Sequence, residues 1–206
     1  MKSRQLLIII LIFILSCKKK DKHITSVVVN GRSYPVVVIG SKTWMAADYQ
    51  GPGAEEHPVP ALNATAFLYN YNQAAAIVPP SGWRLPSAAD YSQMLQYIGG
   101  GPDGQGFNYV TDSVLQKLVV PTGLPGLSGN NATHFSAIPV GFHLITFPGY
   151  SDATDRVGYW TTTSNGHFQY SLLLEAVESN NTWSLYGGLA NGLTSDALCI
   201  RFVKDN

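Results

Sequence analysis

The chain has 206 residues, of which 45% are hydrophobic and 13% are charged, and its formal net charge at pH 7 is zero. This length favours a single domain. So few charges, with no excess of either sign, exclude the electrostatic footprint of a nucleic-acid-binding protein. The 20 glycines and 12 prolines indicate many loops.

The amino-terminal segment has the composition of a targeting signal. Lys2 and Arg4 precede an apolar run at residues 6–15, and Cys17 follows directly after Ser16. The run is too short to span a bilayer, which takes about 20 residues, but it suits the core of a signal peptide. This order resembles a bacterial lipoprotein signal. The resemblance implies cleavage after Ser16, a diacylglyceryl group on the Cys17 thiol and acylation of the new amino terminus.

These features predict the domain organisation and the location. Residues 1–16 are the expected signal peptide, 17–25 a lysine-rich lipidated tether, and 26–206 the folded domain. Two or more acyl chains anchor a protein firmly, so the expected partner of Cys17 is membrane lipid. The expected location is the outer membrane or the cell surface. The alternative is an ordinary cleaved secretory signal in which the cysteine is incidental.

The first part of the domain predicts a hairpin, a further short strand and a helix. Asn30-Gly31 between the apolar segments 27–29 and 34–39 is typical of a type I′ hairpin turn. Another strand is expected at 43–46. Residues 50–60, with three prolines and two glycines, are expected to form a loop. A short helix is expected at 70–77, before the prolines at 79 and 80.

The clearest helix prediction covers residues 87–98. Ser87 can cap the helix, and Asp90 completes a capping box three residues later. Apolar side chains recur on one face at helical spacing, and Gly99 suits the helix end. A further short helix is expected at 112–119.

The second part of the domain predicts mainly strands. Six segments are expected to be extended: 135–138, 141–145, 158–163, 170–175, 183–186 and 198–203. With two or three helices in the first half and long loops, the pattern predicts an α+β fold built on short, mainly antiparallel strands.

Six motifs, in shared order, resemble those of one family. They are IGSKTWMA at 39–46, LYNY at 68–71, PSGWRLPS at 80–87, FSAIP at 135–139, GYWT at 158–161 and IRFVK at 200–204. Together they resemble the Fibrobacter succinogenes major paralogous domain, a family of surface lipoproteins of Bacteroidetes and Fibrobacteres. The resemblance covers nearly the whole mature chain and implies a C-type-lectin-like fold. The tripeptides that hold the sugar-binding calcium in lectins of that fold do not occur here.

The tryptophans are the best candidates for ligand contacts or core anchors. Trp44, Trp83 and Trp160 are expected in the core, because they lie within predicted strands or just before a helix. Trp183 follows Asn180 and Asn181. An exposed aromatic ring can stack on the apolar face of a sugar while neighbouring amides bind its hydroxyls. These three residues are therefore the candidate ligand site, and a tryptophan tucked into the core is the competing interpretation.

No other pattern predicts a metal, a cofactor or catalysis. Asp152 and Asp155 place two carboxylates in one loop, but without the spacing of a known calcium loop, so cation binding there is left open. The histidines lack metal-ligand spacing, and no G-x-S-x-G elbow is present. Formylglycine-generating enzymes, which share the fold implied by the resemblance, depend on a pair of cysteines. Cys199 is expected instead to be a small core residue.

The sequence thus predicts a non-enzymatic lipoprotein whose domain binds a glycan or an envelope protein. One alternative is a structural or assembly component of an outer-membrane complex or surface appendage. A hydrolase is the third hypothesis, since a Ser-His-Asp site leaves no unique sequence signature.

Overall fold

The structure, a computed structural model, describes residues 25–102, 108–144, 150–151, 154–179 and 182–206. Within these ranges the chain forms fifteen strands: β1 (Ser26–Val29), β2 (Arg32–Ile39), β3 (Lys42–Met45), β4 (Glu55–Val59), β5 (Ala64–Asn70), β6 (Trp83–Arg84), β7 (Gly101–Pro102), β8 (Asn108–Tyr109), β9 (Phe142–His143), β10 (Tyr150–Ser151), β11 (Arg156–Ser164), β12 (Gln169–Ser179), β13 (Thr182–Gly192), β14 (Ala197–Leu198) and β15 (Val203–Asp205). The helices are α1 (Tyr71–Ala76), α2 (Ala88–Tyr97), α3 (Asp112–Leu118) and a 3-10 turn at Pro60–Leu62.

The first sheet has the order β1-β2-β3-β15-β6 and joins both ends of the domain. Its predicted amino-terminal hairpin is confirmed. Asn30 and Gly31 have φ angles of 48° and 77°, and Val29 pairs with Arg32 across them. Both central residues of a type I′ turn need positive φ, which asparagine and glycine tolerate best. The turn therefore fixes the register of β1 on β2.

Two more sheets complete most of the fold. One has the order β10-β9-β14-β5-β4, and the other is the antiparallel meander β11-β12-β13. The strands β12 and β13 are paired over their full eleven residues. A two-stranded pair, β7 and β8, lies between α2 and α3 in the chain. The expected segments at 158–163, 170–175 and 183–186 all fall inside the meander, but its strands are much longer than predicted.

The predicted helices are confirmed, with caps that explain their boundaries. Ser87 accepts a hydrogen bond from the Asp90 backbone N–H, and Asp90 accepts one from the Ser87 backbone N–H, which together form the expected capping box. Asn70 and Gln73 form the same reciprocal pair at the start of α1. These caps satisfy backbone donors that a helix start leaves free.

Three local assignments from the sequence, one loop and two strands, are wrong. The expected loop at 50–60 contains β4, an edge strand that tolerates Pro58 because one of its sides needs no ladder donor. Residues 135–138 form no strand, and His134 and Ser136 have left-handed φ angles of 56° and 60°. The segment 198–203 is divided between β14 and β15, which belong to different sheets.

The expected α+β, C-type-lectin-like fold is also wrong, because the described chain is mainly β with antiparallel sheets. The helices lie where they were expected, but they are short, of six, ten and seven residues. The reason for the error is the extent of pairing. Local patterns show where strands lie, but they do not show that the meander extends so far or that β4 pairs with β5.

The core consists of two clusters of buried apolar side chains. Trp44 belongs to the first cluster, while Trp83 and Trp160 belong to the second. All three are buried, as predicted. The Trp160 indole Nε1–H donates to the Tyr69 carbonyl over 2.6 Å, so its polar atom is satisfied inside the core. Both clusters, as far as the described residues form them, are built from the domain that begins at β1.

Candidate functional site

The site residues expected from the sequence fall largely outside the described part of the chain. Four of them lie outside the described residues: Cys17, Asn180, Asn181 and Asp152. Trp183 lies in β13 opposite Glu178, one residue after the pair that ends the β12–β13 ladder. Its side chain is not among those described. The sugar-binding role of these residues, and lipidation of Cys17, therefore remain predictions.

The cation site left open between Asp152 and Asp155 is only half described. Asp155 accepts a hydrogen bond of 2.7 Å from the Nε atom of Arg156. Among the described residues, no group of three or more His, Cys, Asp or Glu side chains has the arrangement of a metal site. Asp155 thus has a cationic partner in the next residue, Arg156. The expectation that the chain binds no metal or cofactor stays a prediction.

A cleft of about 500 Å³ lies between the β2–β3 turn and helix α2. A volume of this order falls within the range of small-ligand sites, about 300–1,000 Å³. Its lining combines the turn, one core aromatic residue and one side of the helix: Ile39, Gly40, Ser41, Lys42, Trp44, Asp90, Gln93, Met94 and Tyr97. The cleft is therefore formed by the β2–β3 turn and the predicted capped helix, which tertiary packing brings together.

Four charged side chains form a network at one side of the cleft. Lys42 Nζ lies 3.1 Å from Asp90 Oδ1 and also contacts Asp205. Arg84 donates to both oxygens of Asp90, over 2.5 and 3.1 Å, and contacts Asp205 over 3.4 Å. Two cations thus alternate with two carboxylates, and their charges cancel. The network links the β2–β3 turn, the start of α2 and the last strand.

The pKa values follow from these contacts. Burial alone raises the pKa of Asp90, but hydrogen bonds from Arg84 and Ser87 to the ionised carboxylate outweigh it and hold the pKa below its usual range. The hydrogen bond to Asp205 raises the pKa of Lys42, against the opposite effect of burial. The hydrogen bond from Lys42 lowers the pKa of Asp205. All of these groups are therefore charged near neutral pH.

Tyr97 provides an aromatic surface at the rim of the cleft. Its side chain is 69% exposed, although it follows the buried Met94 by one helical turn. Gly40 has φ +64°, and a β-carbon there would lie only 3.4 Å from Tyr97 Cγ. Glycine at this turn therefore permits both the left-handed backbone and the close approach of the ring. Exposed Gln93 lies one turn earlier on the same side of α2.

Trp44 borders the cleft from the core side. It is fully buried, and its ring centroid lies 5.1 Å from that of Tyr91. Its indole Nε1–H has no hydrogen-bond acceptor among the described residues. A buried unpaired donor is costly and uncommon in proteins. Trp44 is thus a core residue that also forms the inner wall of the cleft.

A second cavity, of about 420 Å³, contains Asp48 and Arg201, but these residues have a structural role. Arg201 is fully buried, and all three guanidinium nitrogens have partners in Asp48 or in backbone carbonyls. One of these acceptors is the carbonyl of Ser136, in its left-handed conformation. Arg201 thus holds a strained loop in place and has no nitrogen left for a ligand.

Most residues of the six family motifs likewise build the scaffold. Trp44, Trp83 and Trp160 lie in the core, Arg84 fixes the start of α2, and Arg201 joins the loop to the sheet. Cys199 is buried and free of any disulfide, as expected for a small core residue. The motifs therefore mark stability more than recognition.

Sequence reasoning missed the cleft, although one signal was present. On the predicted helix the apolar face is formed by Tyr91, Met94, Leu95 and Ile98, and Tyr97 falls outside this face. One exposed aromatic residue does not by itself mark a contact surface, and Tyr97 becomes informative only beside the cleft. The approach of the β2–β3 turn to this residue was not visible in the sequence.

The contact of Glu55 with His143, a residue distant in the chain, was missed for the same reason. Glu55 Oε2 lies 3.2 Å from His143 Nδ1 and 3.5 Å from His57 Nε2. His143 is 88 positions from Glu55 in the chain. Within the described part of the chain, these three side chains do not have the arrangement of a metal site. The contact ties β4 to β9 at the surface of the second sheet.

Comparison with known proteins supports one assignment. No curated protein and no solved structure matches the chain. The sequence profile of the Fibrobacter succinogenes major domain matches residues 37–204, which is most of the chain and includes all six motifs. The chain belongs to the Fibrobacter succinogenes major domain family.

Proposed function

We propose that the chain is a lipoprotein anchored in the outer membrane through Cys17, and that its β domain binds a neutral glycan without transforming it. The single observation that carries the binding role is the cleft with the exposed Tyr97 ring at its rim. The anchor and the cleft are separable parts of this proposal, and each has its own test.

The anchor is supported by the sequence before the domain. Cys17 follows an apolar run and precedes four lysines within residues 18–22, and the first strand begins at Ser26. Within the described residues, no helix combines the length and apolar character needed to cross a membrane. Two or more acyl chains at Cys17 would hold the domain at a membrane through this short tether.

The test of the anchor is Cys17→Ser in the full chain. Labelled palmitate should enter the parent protein and not the variant, and the variant should move from the membrane to the soluble fraction. Protease treatment of intact cells then distinguishes the outer face from the periplasmic face. Equal palmitate labelling of parent and variant would contradict lipidation at Cys17.

The glycan preference follows from the chemistry of the cleft. A tyrosine ring offers a flat apolar surface to the C–H face of a sugar, while Ser41 and Gln93 offer hydrogen-bonding groups to its hydroxyls. Because the four charges of the network cancel, no net charge selects an ionic ligand. The carboxylate of Asp90 is occupied by donors and is held ionised, so it is poorly placed to take a proton in catalysis.

The binding test uses a soluble form that begins at Thr25, which retains both core clusters. Glycans retained on an array are titrated against this form and against Tyr97→Ala. We expect the substitution to weaken binding at least about tenfold, or about 1.4 kcal/mol. Phe168→Ala is the matched control, because Phe168 is also an exposed aromatic residue but does not line the cleft. Equal losses in both variants, or no glycan retained by the folded form, would contradict the proposal.

A further inference from the structure

The two ends of the first sheet are distinguishable and carry different features. The cleft end is the end at which β2 finishes and the β2–β3 turn, Gly40 and Ser41, begins. The hairpin end is the end that carries the β1–β2 turn, Asn30 and Gly31. Because β2 has eight residues at about 3.3 Å each, these ends lie roughly 26 Å apart along the strand.

The chain enters the sheet from the direction of the cleft end. β1 is antiparallel to β2, and Ser26 pairs with Pro35 while Val29 pairs with Arg32. One residue earlier, the Thr25 carbonyl still accepts a hydrogen bond of 3.2 Å from Val36 N–H. From Val29 back to Thr25 the backbone therefore runs away from the hairpin end. Residues of this segment that come earlier in the chain therefore lie beside residues of β2 that are nearer to Ile39 and the cleft.

We propose that the cleft end of the domain faces the membrane to which Cys17 is attached, with the lipid surface as its partner. This inference rests on the proposed anchorage at Cys17. The segment before Thr25 reaches back to Cys17 over eight residues, which span at most about 28 Å. To present the hairpin end instead, this segment must first reverse the direction in which β1 leaves the sheet.

The surface chemistry of the cleft end suits a lipid interface. Tyr97 is 69% exposed, and Val38, two residues before Gly40, is 53% exposed. A tyrosine has an apolar body and a polar tip, which favours the boundary between headgroups and acyl chains. The neighbouring ion-pair network has no net charge to oppose contact with either a neutral or an anionic surface. The lysines at positions 18–20 and 22 lie between this end and the anchor in the chain and favour anionic headgroups.

The orientation has a consequence for the proposed ligand. A glycan that enters a membrane-facing cleft is one held at the membrane surface, such as the sugar headgroup of a lipid. Large soluble glycans would reach the same cleft more easily on the soluble form than on the anchored protein.

The experiment uses the full lipidated chain in vesicles of phosphatidylethanolamine and phosphatidylglycerol that contain a lipid with a nitroxide in its headgroup. A thiol-reactive fluorophore is placed at the cleft end by Ser41→Cys or at the hairpin end by Ser33→Cys. Both serines are exposed and lie on or beside the same strand. Cys199 is buried and does not compete for the label. If Ser41→Cys does not fold, Gln93→Cys on the cleft rim replaces it.

We expect the nitroxide lipid to quench the label at position 41 at least about twofold more than the label at position 33. Equal quenching at the two positions, or stronger quenching at position 33, would overturn the orientation while leaving the anchor intact. Protein that does not float with the vesicles would refute the anchorage and, with it, this inference. Glycan binding is measured separately, on the soluble form. A failure of the proposed binding function is therefore distinguishable from a failure of the proposed orientation.

Discussion

Asp90→Asn tests the charge network of the cleft by replacing a buried carboxylate with an amide of nearly the same shape. The Asp90 side chain is 5% exposed and accepts hydrogen bonds from Arg84 and Ser87. Removal of one partner of a buried ion pair costs about 3–5 kcal/mol. Because the Arg84 side chain is 41% exposed, water can solvate part of the freed charge. We therefore expect the free energy of unfolding at pH 7 to fall by about 3 kcal/mol, the lower end of that range.

The loss of unfolding free energy in Asp90→Asn should depend on pH in a defined direction. The pKa of Asp90 is depressed in the folded chain, so its stabilising effect is fully present above the unfolded pKa, about 3.9. The effect is lost as pH falls through the folded pKa, because protonation then removes the ion pair. The difference in unfolding free energy between parent and Asp90→Asn should therefore stay constant from pH 7 to about 5 and shrink as pH is lowered below about 4.

Urea unfolding of the soluble form at several pH values measures this difference. At pH 7 the midpoint of thermal unfolding should also fall by about 6–12 °C. Glu56→Gln makes the same chemical change on an exposed side chain of β4, and it should alter stability by less than about 0.5 kcal/mol. A loss in Asp90→Asn below about 1 kcal/mol, or one that stays constant with pH, would refute the reasoning.

Three further predictions concern the scaffold. Arg201→Met leaves the half-buried carboxylate of Asp48 and several backbone carbonyls without their donor. Urea unfolding should show a loss of about 3 kcal/mol, and a loss under about 1 kcal/mol would contradict this. Ser87→Ala removes the cap of α2 and should cost about 1 kcal/mol, whereas Ser92→Ala inside the same helix should show no such loss. Burial raises the pKa of the Cys199 thiol, so a thiol reagent should modify Cys199 only after denaturation, and rapid reaction of the native protein would disprove its burial.

The parts of the fold that depend on neighbouring residues were predictable from the sequence. Asn30-Gly31 specifies its turn because two successive positive φ angles exclude most other residues. Ser87 and Asp90 specify the start of α2 because their reciprocal hydrogen bonds need only the spacing of three residues. The family was likewise predictable, because short motifs in a fixed order require no knowledge of contacts.

The parts that depend on pairing between distant residues were not predictable in this way. β4 was expected to be a loop, since its proline and charges mask an edge strand that is defined only by its partner β5. The strand expected at 135–138 is a strained loop, because Arg201 and Asn131 hold Ser136 in place from elsewhere in the chain. Such long-range contacts leave no local period to detect.

The sequence by itself determined the hairpin turn, the three helices and the family to which the chain belongs, while the anchor at Cys17 stays a prediction. Only the tertiary structure decided that the domain is mainly β and that Tyr97 lies against Gly40 beside the Lys42 and Asp90 network. The physical reason is the range of the forces involved. Caps and turns are settled by backbone geometry over a few residues, whereas a cleft arises where packing brings separate elements together.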